Sequence, residues 1–347
     1  ANPRIRLVRG TARFVDTHTV AVGEETFTAE NIIIATGSTA ATLPIPGNDL
    51  PGVITSRELL NIDHVPPRLC IIGAGVIGLE FASIFTSFGS EVTVVEYAKE
   101  ILPRFDSDMA KRLRQSLGKR GITITTQAAV SAIAQNGDEL TVTYTRKGKE
   151  ETVVADKVLM AVGRRPNLAS LNLEEVGIEA TPRGVVVNEN MQTNVPHIYA
   201  IGDIIGGYML AHAATFQGIR ALNHIMGTPD KLNLNVMPAA VFTMPEAATV
   251  GLTEDECKEK GIACTCKKSF FRANGKAVCL DETDGFCKLV VGDDGKLLGC
   301  HLFGPHAADL VQEVCALISV GATLDDLQNI IHTHPTLGEV IQTAAHS

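Results

Sequence analysis

The sequence predicts an α/β fold that continues into an α+β module at its C-terminal end. Twice, at residues 69–88 and 198–226, a buried apolar strand runs into a glycine turn and then a helix, which is typical of α/β domains. Residues 236–347 instead place a run of strands before a run of helices, which indicates an antiparallel sheet with helices on one side. A chain of 347 residues, 45% of them apolar, is long enough for two or three packed cores.

Composition excludes several classes of protein. The net charge of −9 argues against sequence-independent binding of nucleic acid, and no apolar run approaches the ~20 residues of a membrane-spanning helix. The eight cysteines include no C-x-x-C pair, so we expect reduced thiols and a cytoplasmic location. Cys264 and Cys266 would share one face of a strand, but no second pair completes four ligands, so we expect no metal.

The first 62 residues predict short strands followed by a connector. An apolar strand breaks at the glycine turn 36–38, and residues 43–52 (LPIPGNDLPG) have the composition of a connector. The strands predicted from apolar periodicity are 11–15, 19–22, 25–28 and 32–35.

Residues 63–167 predict one βαβ domain with a β-ribbon insertion. Ser107 or Asp108 is the predicted N-cap of its second helix, and Lys147-Gly148 indicates a hairpin. The predicted elements are strands at 69–72, 91–96, 122–126 and 157–162 and helices at 76–88 and 106–119.

The remaining chain predicts one more α/β segment and the α+β module. Residues 168–235 contain a strand at 198–201 and a helix at 211–226. In residues 236–347 the predicted elements are strands at 263–270, 277–280, 286–291 and 296–303 and helices at 306–320 and 323–330.

Three glycines in the pattern G-x-G-x-x-G, Gly73, Gly75 and Gly78, are the strongest local signal. They follow a strand and open a helix, which is the context of a Rossmann-like dinucleotide-binding domain, where the helix N-terminus faces a pyrophosphate. Glu96 ends the next strand, where a carboxylate accepts hydrogen bonds from ribose hydroxyls and repels a 2′-phosphate. We therefore predict that the domain binds NAD rather than NADP. The alternative for the glycines is a tight structural turn, and the alternative for Glu96 is a solvated carboxylate without a ligand.

Two further strands end in residues suited to ligand binding. One runs into Gly202-Asp203 and places a carboxylate at its C-terminal edge, where open α/β sheets bind ligands. An Asp that caps a helix is the alternative interpretation. The strand that ends at Gly37 is similar.

The segment 331–339 (IHTHPTLGE) contains a candidate acid/base pair. Pro335 disfavours helical backbone at His334, and Thr336 can cap the helix that follows. Glu339, in the first turn of that helix, can reach back to an imidazole. A carboxylate on one ring nitrogen fixes the tautomer and raises the basicity of the other, as a general base requires. The alternative is a histidine packed at a loop–helix corner.

Taken in chain order, these segments resemble the pyridine nucleotide–disulfide oxidoreductase family of flavoproteins. Residues 332, 334–336 and 339 also resemble the C-terminal signature His-x-His-Pro-Thr-x-x-Glu of the branch that oxidises dihydrolipoyl groups. The resemblance covers essentially the whole chain through five motifs, IIIATGS (32–38), GAGVIG (73–78), VGRRPN (162–167), YAIGD (199–203) and HTHPT (332–336).

The resemblance implies that FAD is bound as well as NAD. Asp203 would bind the ribityl chain of FAD, and Glu80 would sit by the nicotinamide and the flavin. The backbone near the flavin pyrimidine edge would be that of Met209, Leu210, Ala211 and His212. Gly37 and Gly163, each at the end of a strand, complete the expected cofactor-binding residues.

The resemblance also implies the reaction and the partners. His334, oriented by Glu339, would be the acid/base toward the dithiol and would serve the flavin of the other subunit of a homodimer. Electrons would pass through a redox disulfide and FAD to NAD. The substrate would be carried by the lipoyl domain of a 2-oxo acid dehydrogenase or glycine cleavage complex.

The same resemblance divides the chain into four parts. These are the back half of an FAD-binding domain, an NAD-binding domain, a central FAD-side segment and an interface (dimerisation) domain, at residues 1–62, 63–167, 168–235 and 236–347.

The sequence departs from the family pattern at its start. It contains no second G-x-G-x-x-G for FAD and no C-x-x-x-x-C disulfide, so we expect a truncated enzyme that is inactive by itself. Ala213, Gln217 and Met244 also stand where this branch often has other residues.

Other functions are also consistent with the sequence. They are a glutathione reductase, which would need Arg side chains near Glu96 for NADP, and a mercuric reductase, which would carry a C-terminal Cys pair. A soluble transhydrogenase would lack His334. The last alternative is a catalytically inert, NAD-binding dimerisation fragment.

Overall fold

The computed structural model describes residues 4–347, which group into two compact units. The first unit consists of residues 4–39 and 164–234, and the second of residues 40–163 and 235–347. The chain therefore crosses between the units more than once.

Most of the strands are short. In chain order they are β1 (Ala12–Phe14), β2 (Thr19–Val22), β3 (Glu25–Thr28), β4 (Ile32–Ile34), β5 (Ser38–Ala40), β6 (Val53–Ile54), β7 (Arg68–Ile72), β8 (Glu91–Val95), β9 (Thr123–Thr125), β10 (Ala128–Asn136), β11 (Glu139–Arg146), β12 (Lys149–Ala155), β13 (Lys157–Met160), β14 (Arg164–Pro166), β15 (Ala180–Thr181), β16 (Gly184–Val185), β17 (Ile198–Ala200), β18 (Ala239–Val241), β19 (Glu246–Gly251), β20 (Cys264–Phe270), β21 (Phe286–Gly292) and β22 (Leu297–Gly304).

The helices connect these strands or follow them. They are α1 (Ser56–Leu59), α2 (Val76–Ser87), α3 (Ser107–Lys119), α4 (Ala211–Ile225), α5 (Glu254–Lys260), α6 (Gly275–Leu280), α7 (Ala307–Ser319), α8 (Leu324–Gln328) and α9 (Glu339–Ala345), with 3₁₀ turns at Gly202–Ile205 and Phe271–Ala273.

A five-stranded parallel sheet organises the first part of the second unit. Its order is β6-β13-β7-β8-β9, so that α2 and α3 connect neighbouring strands and the predicted βαβ unit is confirmed. The hairpin predicted at Lys147-Gly148 is the turn between β11 and β12 in the three-stranded antiparallel ribbon β10-β11-β12.

Alternation along β7 gives this sheet two cores. Leu69 and Ile71 pack with apolar residues of α2 and α3, whereas Cys70 and Ile72 pack with apolar residues of the β10–β12 ribbon. Because successive side chains of a strand point to opposite faces, one apolar run covers both sides of the sheet. This explains the uninterrupted apolar sequence before the glycine turn.

The same unit contains a five-stranded antiparallel sheet of order β18-β19-β22-β21-β20. On one face its side chains form a core with α7 and α9. On the other face Phe286 and Phe303 join the core around α2 and α3. The α+β prediction is therefore confirmed, although the sheet is covered on both faces.

A predicted strand and the predicted N-cap of α3 were wrong. Residues 277–280, predicted as a strand, belong to α6, because the Asn274 side chain accepts a hydrogen bond from the N–H of Ala277 (3.0 Å) and caps a helix. The N-cap of α3 is Asp106, whose carboxylate accepts from the N–H of Met109 (3.0 Å), and not Ser107 or Asp108.

In the first unit, β1, β2 and β3 form an antiparallel meander, and β4 pairs in parallel with β17. Phe14 from the meander and Ile34 and Ile198 from the parallel pair meet in one core. Because β4 and β17 are paired in parallel, both strands end at the same edge.

Nowhere between residues 4 and 347 is a helix long and apolar enough to cross a bilayer.

Candidate functional site

Close backbone contacts shape the glycine turn between β7 and α2. Gly73 has φ +107°, and a Cβ there would lie 2.4 Å from the carbonyl oxygen of Ala161. A Cβ at Gly78 would lie 2.0 Å from the carbonyl oxygen of Gly73. Both positions therefore exclude a side chain, because the turn, the helix and the strand approach one another too closely.

Gly75 is different, because the space in front of it is open. It is the N-cap of α2 and has ordinary φ, and no atom lies within 4 Å of a Cβ built there. A glycine N-cap has no side-chain acceptor, so the N–H groups of the first turn remain available. A pyrophosphate fits this open space in front of the helix dipole.

Glu96 lies directly beside the turn. Its carboxylate accepts hydrogen bonds from the N–H of Ala74 (2.5 Å) and the N–H of Ala98 (2.6 Å). A carboxylate offers about four acceptor positions, so it retains the capacity to accept from two ribose hydroxyls. Its negative charge opposes a 2′-phosphate, and the residues present therefore fit NAD.

Glu80 and Gly163 are the other two predicted cofactor-binding residues of the second unit. The Glu80 carboxylate accepts from the N–H of Phe242 (3.0 Å). Burial raises the pKa of Glu80 above its ordinary value, and the Phe242 hydrogen bond opposes this shift. Gly163 has φ +116° and open space at its Cβ position, and its carbonyl accepts from the N–H of Ala41 (2.9 Å).

Asp203 stands at the centre of a polar network in the first unit. Ser38 Oγ donates to Asp203 Oδ2 (2.5 Å), and Arg164 Nε donates to Ser38 Oγ (2.6 Å) while lying 3.6 Å from the carboxylate. The Gln217 side chain accepts from the N–H of Gly202 (2.7 Å) and so fixes the residue that precedes Asp203. Arg164 lies within the VGRRPN motif, but neither it nor Ser38 was predicted as a site residue.

The N-terminus of α4 follows this network along the chain. Leu210 is its N-cap and has no side-chain acceptor. Met209 and Leu210 are half-buried, while Ala211 and His212 are exposed. Backbone donors at a helix N-terminus, with Asp203 and the open Cβ position of Gly37 in the same unit, suit the oxygens and hydroxyls of FAD.

His334 and Glu339 form a hydrogen-bonded pair. His334 Nδ1 lies 2.8 Å from Glu339 Oε1, and 78% of the His334 side chain is exposed. With Nδ1–H donated to the carboxylate, Nε2 carries the lone pair and faces outward. The arrangement suits a proton acceptor for an external substrate.

Glu339 is held in place from a second side. Its Oε2 accepts from the N–H of Thr336 (2.8 Å). This hydrogen bond and that of His334 lower the pKa of Glu339 below its ordinary value. The capping prediction for Thr336 was wrong, since Gly338 is the N-cap of α9. The Glu339 carboxylate instead accepts a hydrogen bond from the backbone of the loop, at the N–H of Thr336.

A second histidine–carboxylate pair lies beneath the same loop. His332 Nε2 is 2.9 Å from Glu313 Oε1 of α7. Nothing in the local sequence signals this pair, because its members are 19 residues apart. Across the part of the chain that the structure covers, no group of three or more His, Cys, Asp or Glu side chains could hold a metal ion.

The site residues fall into two sets. The predicted residues Gly73, Gly75, Gly78, Glu80, Glu96, Gly163, His334 and Glu339 belong to the second unit, and Gly37, Asp203 and Met209–His212 belong to the first.

Comparison with known proteins covers both units. The model of the pyridine nucleotide-disulphide oxidoreductase family matches residues 1–218, and that of the dimerisation domain of the same family matches residues 237–345. Dihydrolipoyl dehydrogenase of Geobacillus stearothermophilus is 41% identical over 99% of this chain and 74% of the relative. The Bacillus subtilis (strain 168) protein of the same name is 42% identical, with the same coverage.

Solved structures agree with this comparison. The HOCl-induced flavoprotein disulfide reductase RclA from Escherichia coli superimposes with a TM-score of 0.90 at 30% identity. The match covers 99% of this chain and 80% of that structure.

Proposed function

The chain belongs to the pyridine nucleotide-disulphide oxidoreductase family and uses FAD and NAD, and from this premise we propose that it oxidises protein-bound dihydrolipoyl groups. Two thiols become a disulfide, and two electrons with one proton reach NAD as a hydride. The second proton must leave the dithiol by another route.

The His334–Glu339 pair supplies that route and is the observation that carries the proposal. A thiol is a poor nucleophile until it loses its proton. Nε2 of His334 accepts the proton, and Glu339 stabilises the imidazolium that forms, because Nδ1–H already points at its carboxylate. The exposure of His334 in the single chain suits a base whose substrate arrives from outside.

Cofactor binding is assigned to the residues whose surroundings fit each group. The N-terminus of α2 with Gly75 would hold the pyrophosphate of NAD, and Glu96 its adenosine ribose. Asp203 and the N-terminus of α4 would hold FAD. Bound FAD and NAD supply the hydride chemistry, and the protein supplies position and charge.

The proposal extends to partners and domains. Residues 237–345 match a dimerisation domain, which supports a homodimer, and the names of the relatives support a lipoyl domain as the substrate carrier. The fourfold division at residues 62, 167 and 235 and a cytoplasmic location are part of the same proposal.

A substrate panel tests the assignment on the flavin-loaded enzyme, meaning protein that carries both FAD and the redox disulfide that these 347 residues lack. Flavin bands in the visible spectrum, with the intact mass of the same sample, establish the loaded state. We expect NADH formation with dihydrolipoamide and little NADPH oxidation with glutathione disulfide or Hg(II). The proposal is contradicted if a flavin-loaded sample reduces glutathione disulfide and yet forms no NADH from NAD and dihydrolipoamide.

A further inference from the structure

His332 lies two residues before His334 in a very different environment. Only 6% of the His332 side chain is exposed, against 78% for His334. The ring packs below the start of α9, where a Cβ on Gly338 would lie 3.9 Å from His332 Cδ2. His332 is therefore part of the support of the loop and does not face the substrate.

Both ring nitrogens of His332 face hydrogen-bond acceptors. Nε2 lies 2.9 Å from Glu313 Oε1, and Nδ1 lies 3.2 Å from the carbonyl oxygen of Ile330. A neutral imidazole has one N–H and one lone pair, so it would leave one of these contacts with two lone pairs facing each other. A ring with a proton on each nitrogen satisfies both contacts.

The charges around the ring support a cation at this position. Glu313 faces it from α7, Glu339 approaches from α9, and His334 is the neighbouring titratable group on the loop. A positive His332 favours the ionised form of Glu339, and ionised Glu339 holds Nδ1–H of His334. The buried pair thereby acts on His334 through Glu339.

We propose that Glu313 holds His332 as a buried imidazolium, and that this pair positions the 331–338 loop and keeps Glu339 charged toward His334. Glu313 and His332 are positioning residues, because neither is placed to touch substrate. The role assigned to them in catalysis rests on the proposed function. The charge state of His332 does not.

The charge state is tested on the unmodified protein by long-range ¹H–¹⁵N correlation of the imidazole rings, with His332 assigned from its absence in His332→Gln. At neutral pH we expect both His332 nitrogens to carry protons. A neutral tautomer of His332 at pH 7 overturns the proposal.

The positioning role is tested by Glu313→Gln in the flavin-loaded enzyme. We expect kcat for dihydrolipoamide to fall by roughly ten- to a hundredfold, since small misplacements of a catalytic group have effects of that size. The acidic limb of the pH–rate profile should move to lower pH, because a less firmly held Glu339 stabilises the protonated His334 less well. NADH oxidation by an artificial acceptor should be retained.

Asp309→Asn is the matched control, since Asp309 is an exposed acid on the same helix, α7. It should leave both the rate and the pH profile unchanged. If Glu313→Gln behaves like this control while His334→Gln abolishes dithiol oxidation, the positioning role is wrong and the proposed function stands. If His334→Gln is itself fully active, the proposed function fails, whatever the spectrum of His332 shows.

Discussion

Lys288 and Asp106 form an ion pair in the interior of the second unit. Lys288 Nζ lies 2.8 Å from Asp106 Oδ2, and the two side chains are 2% and 0% exposed. Lys288 also bonds Glu254 (2.8 Å), while Asp106 caps α3. The pair thus joins α3 to strand β21 of the antiparallel sheet, across 182 positions of sequence.

Replacement of Lys288 by Met should strongly destabilise the protein. The change leaves the Asp106 carboxylate buried without its cation, and removal of one partner of a buried pair costs about 3–5 kcal/mol. Urea denaturation followed by circular dichroism measures the free energy of unfolding. Lys296→Met, at an exposed ion pair with Asp294, is the matched control and should change it by less than about 1 kcal/mol. If Lys288→Met lowered the free energy of unfolding as little as Lys296→Met is expected to, the buried pair would be unimportant for stability.

Acid should weaken the same region through Glu254. Hydrogen bonds from Lys258 and Lys288 lower the pKa of Glu254 from 4.5 to about 2. A folded pKa below the unfolded one contributes stability that is complete above pH 4.5 and is lost as the pH falls toward 2. Glu254→Gln should flatten the pH dependence of the melting temperature in this window. Glu259→Gln, an exposed acid on the same helix, should not, and parallel curves for the Glu254 variant and the wild type would contradict the assignment.

Two glycine substitutions should separate binding from folding. Gly75→Ala places a methyl group in open space, so stability should change by less than about 1 kcal/mol while NADH affinity falls by tenfold or more, since the methyl occupies the pyrophosphate position. Gly78→Ala meets the Gly73 carbonyl oxygen and should lower the melting temperature clearly. Thermal melting and NADH fluorescence titration measure the two effects. Undiminished NADH binding by Gly75→Ala would move the phosphate site elsewhere.

Glu96→Arg should reverse the preference between the two nicotinamide cofactors. Loss of charge-assisted hydrogen bonds to the ribose, worth about 1.5–3 kcal/mol, predicts about a ten- to hundredfold weaker affinity for NADH. The new guanidinium should favour the 2′-phosphate of NADPH. Fluorescence titrations with NADH and NADPH give the ratio directly, and an unchanged ratio removes Glu96 from the ribose site.

His334→Ala should suppress dihydrolipoamide oxidation by several orders of magnitude in the flavin-loaded enzyme. NADH oxidation by an artificial acceptor should be largely retained, because that reaction needs no thiol deprotonation. Glu339→Gln should show the same selectivity with a smaller loss, since it removes the stabilising charge but leaves the base. Equal losses in both assays would make His334 a structural residue.

Local sequence was sufficient where the governing contacts are local. Periodicity and the glycine pattern predicted the parallel sheet and the turn at Gly73, and Glu339 lies within reach of His334 along the chain. Residues 277–280 failed because a short apolar run suits a strand and a helix equally well, and the Asn274 cap decides for the helix.

The contacts that sequence did not predict are long-range. Ser38 and Arg164 reach Asp203 over 165 and 39 positions, and Glu313 reaches His332 from another helix. No periodic pattern records such pairs, because each depends on where the fold places its elements. They orient groups that the motifs had already identified, which is why the chemistry could be anticipated before its supporting contacts.

The two amide hydrogen bonds that Glu96 accepts from Ala74 and Ala98 affect how the cofactor arrives. Since these bonds already hold the carboxylate against the glycine turn, the entropy of ordering this segment is lost during folding rather than on association. A carboxylate that is already in place needs no ordering step of its own when NAD docks. Association at this site should therefore be limited by diffusion and orientation, and differences in affinity among variants should appear mainly in the rate at which the nucleotide leaves.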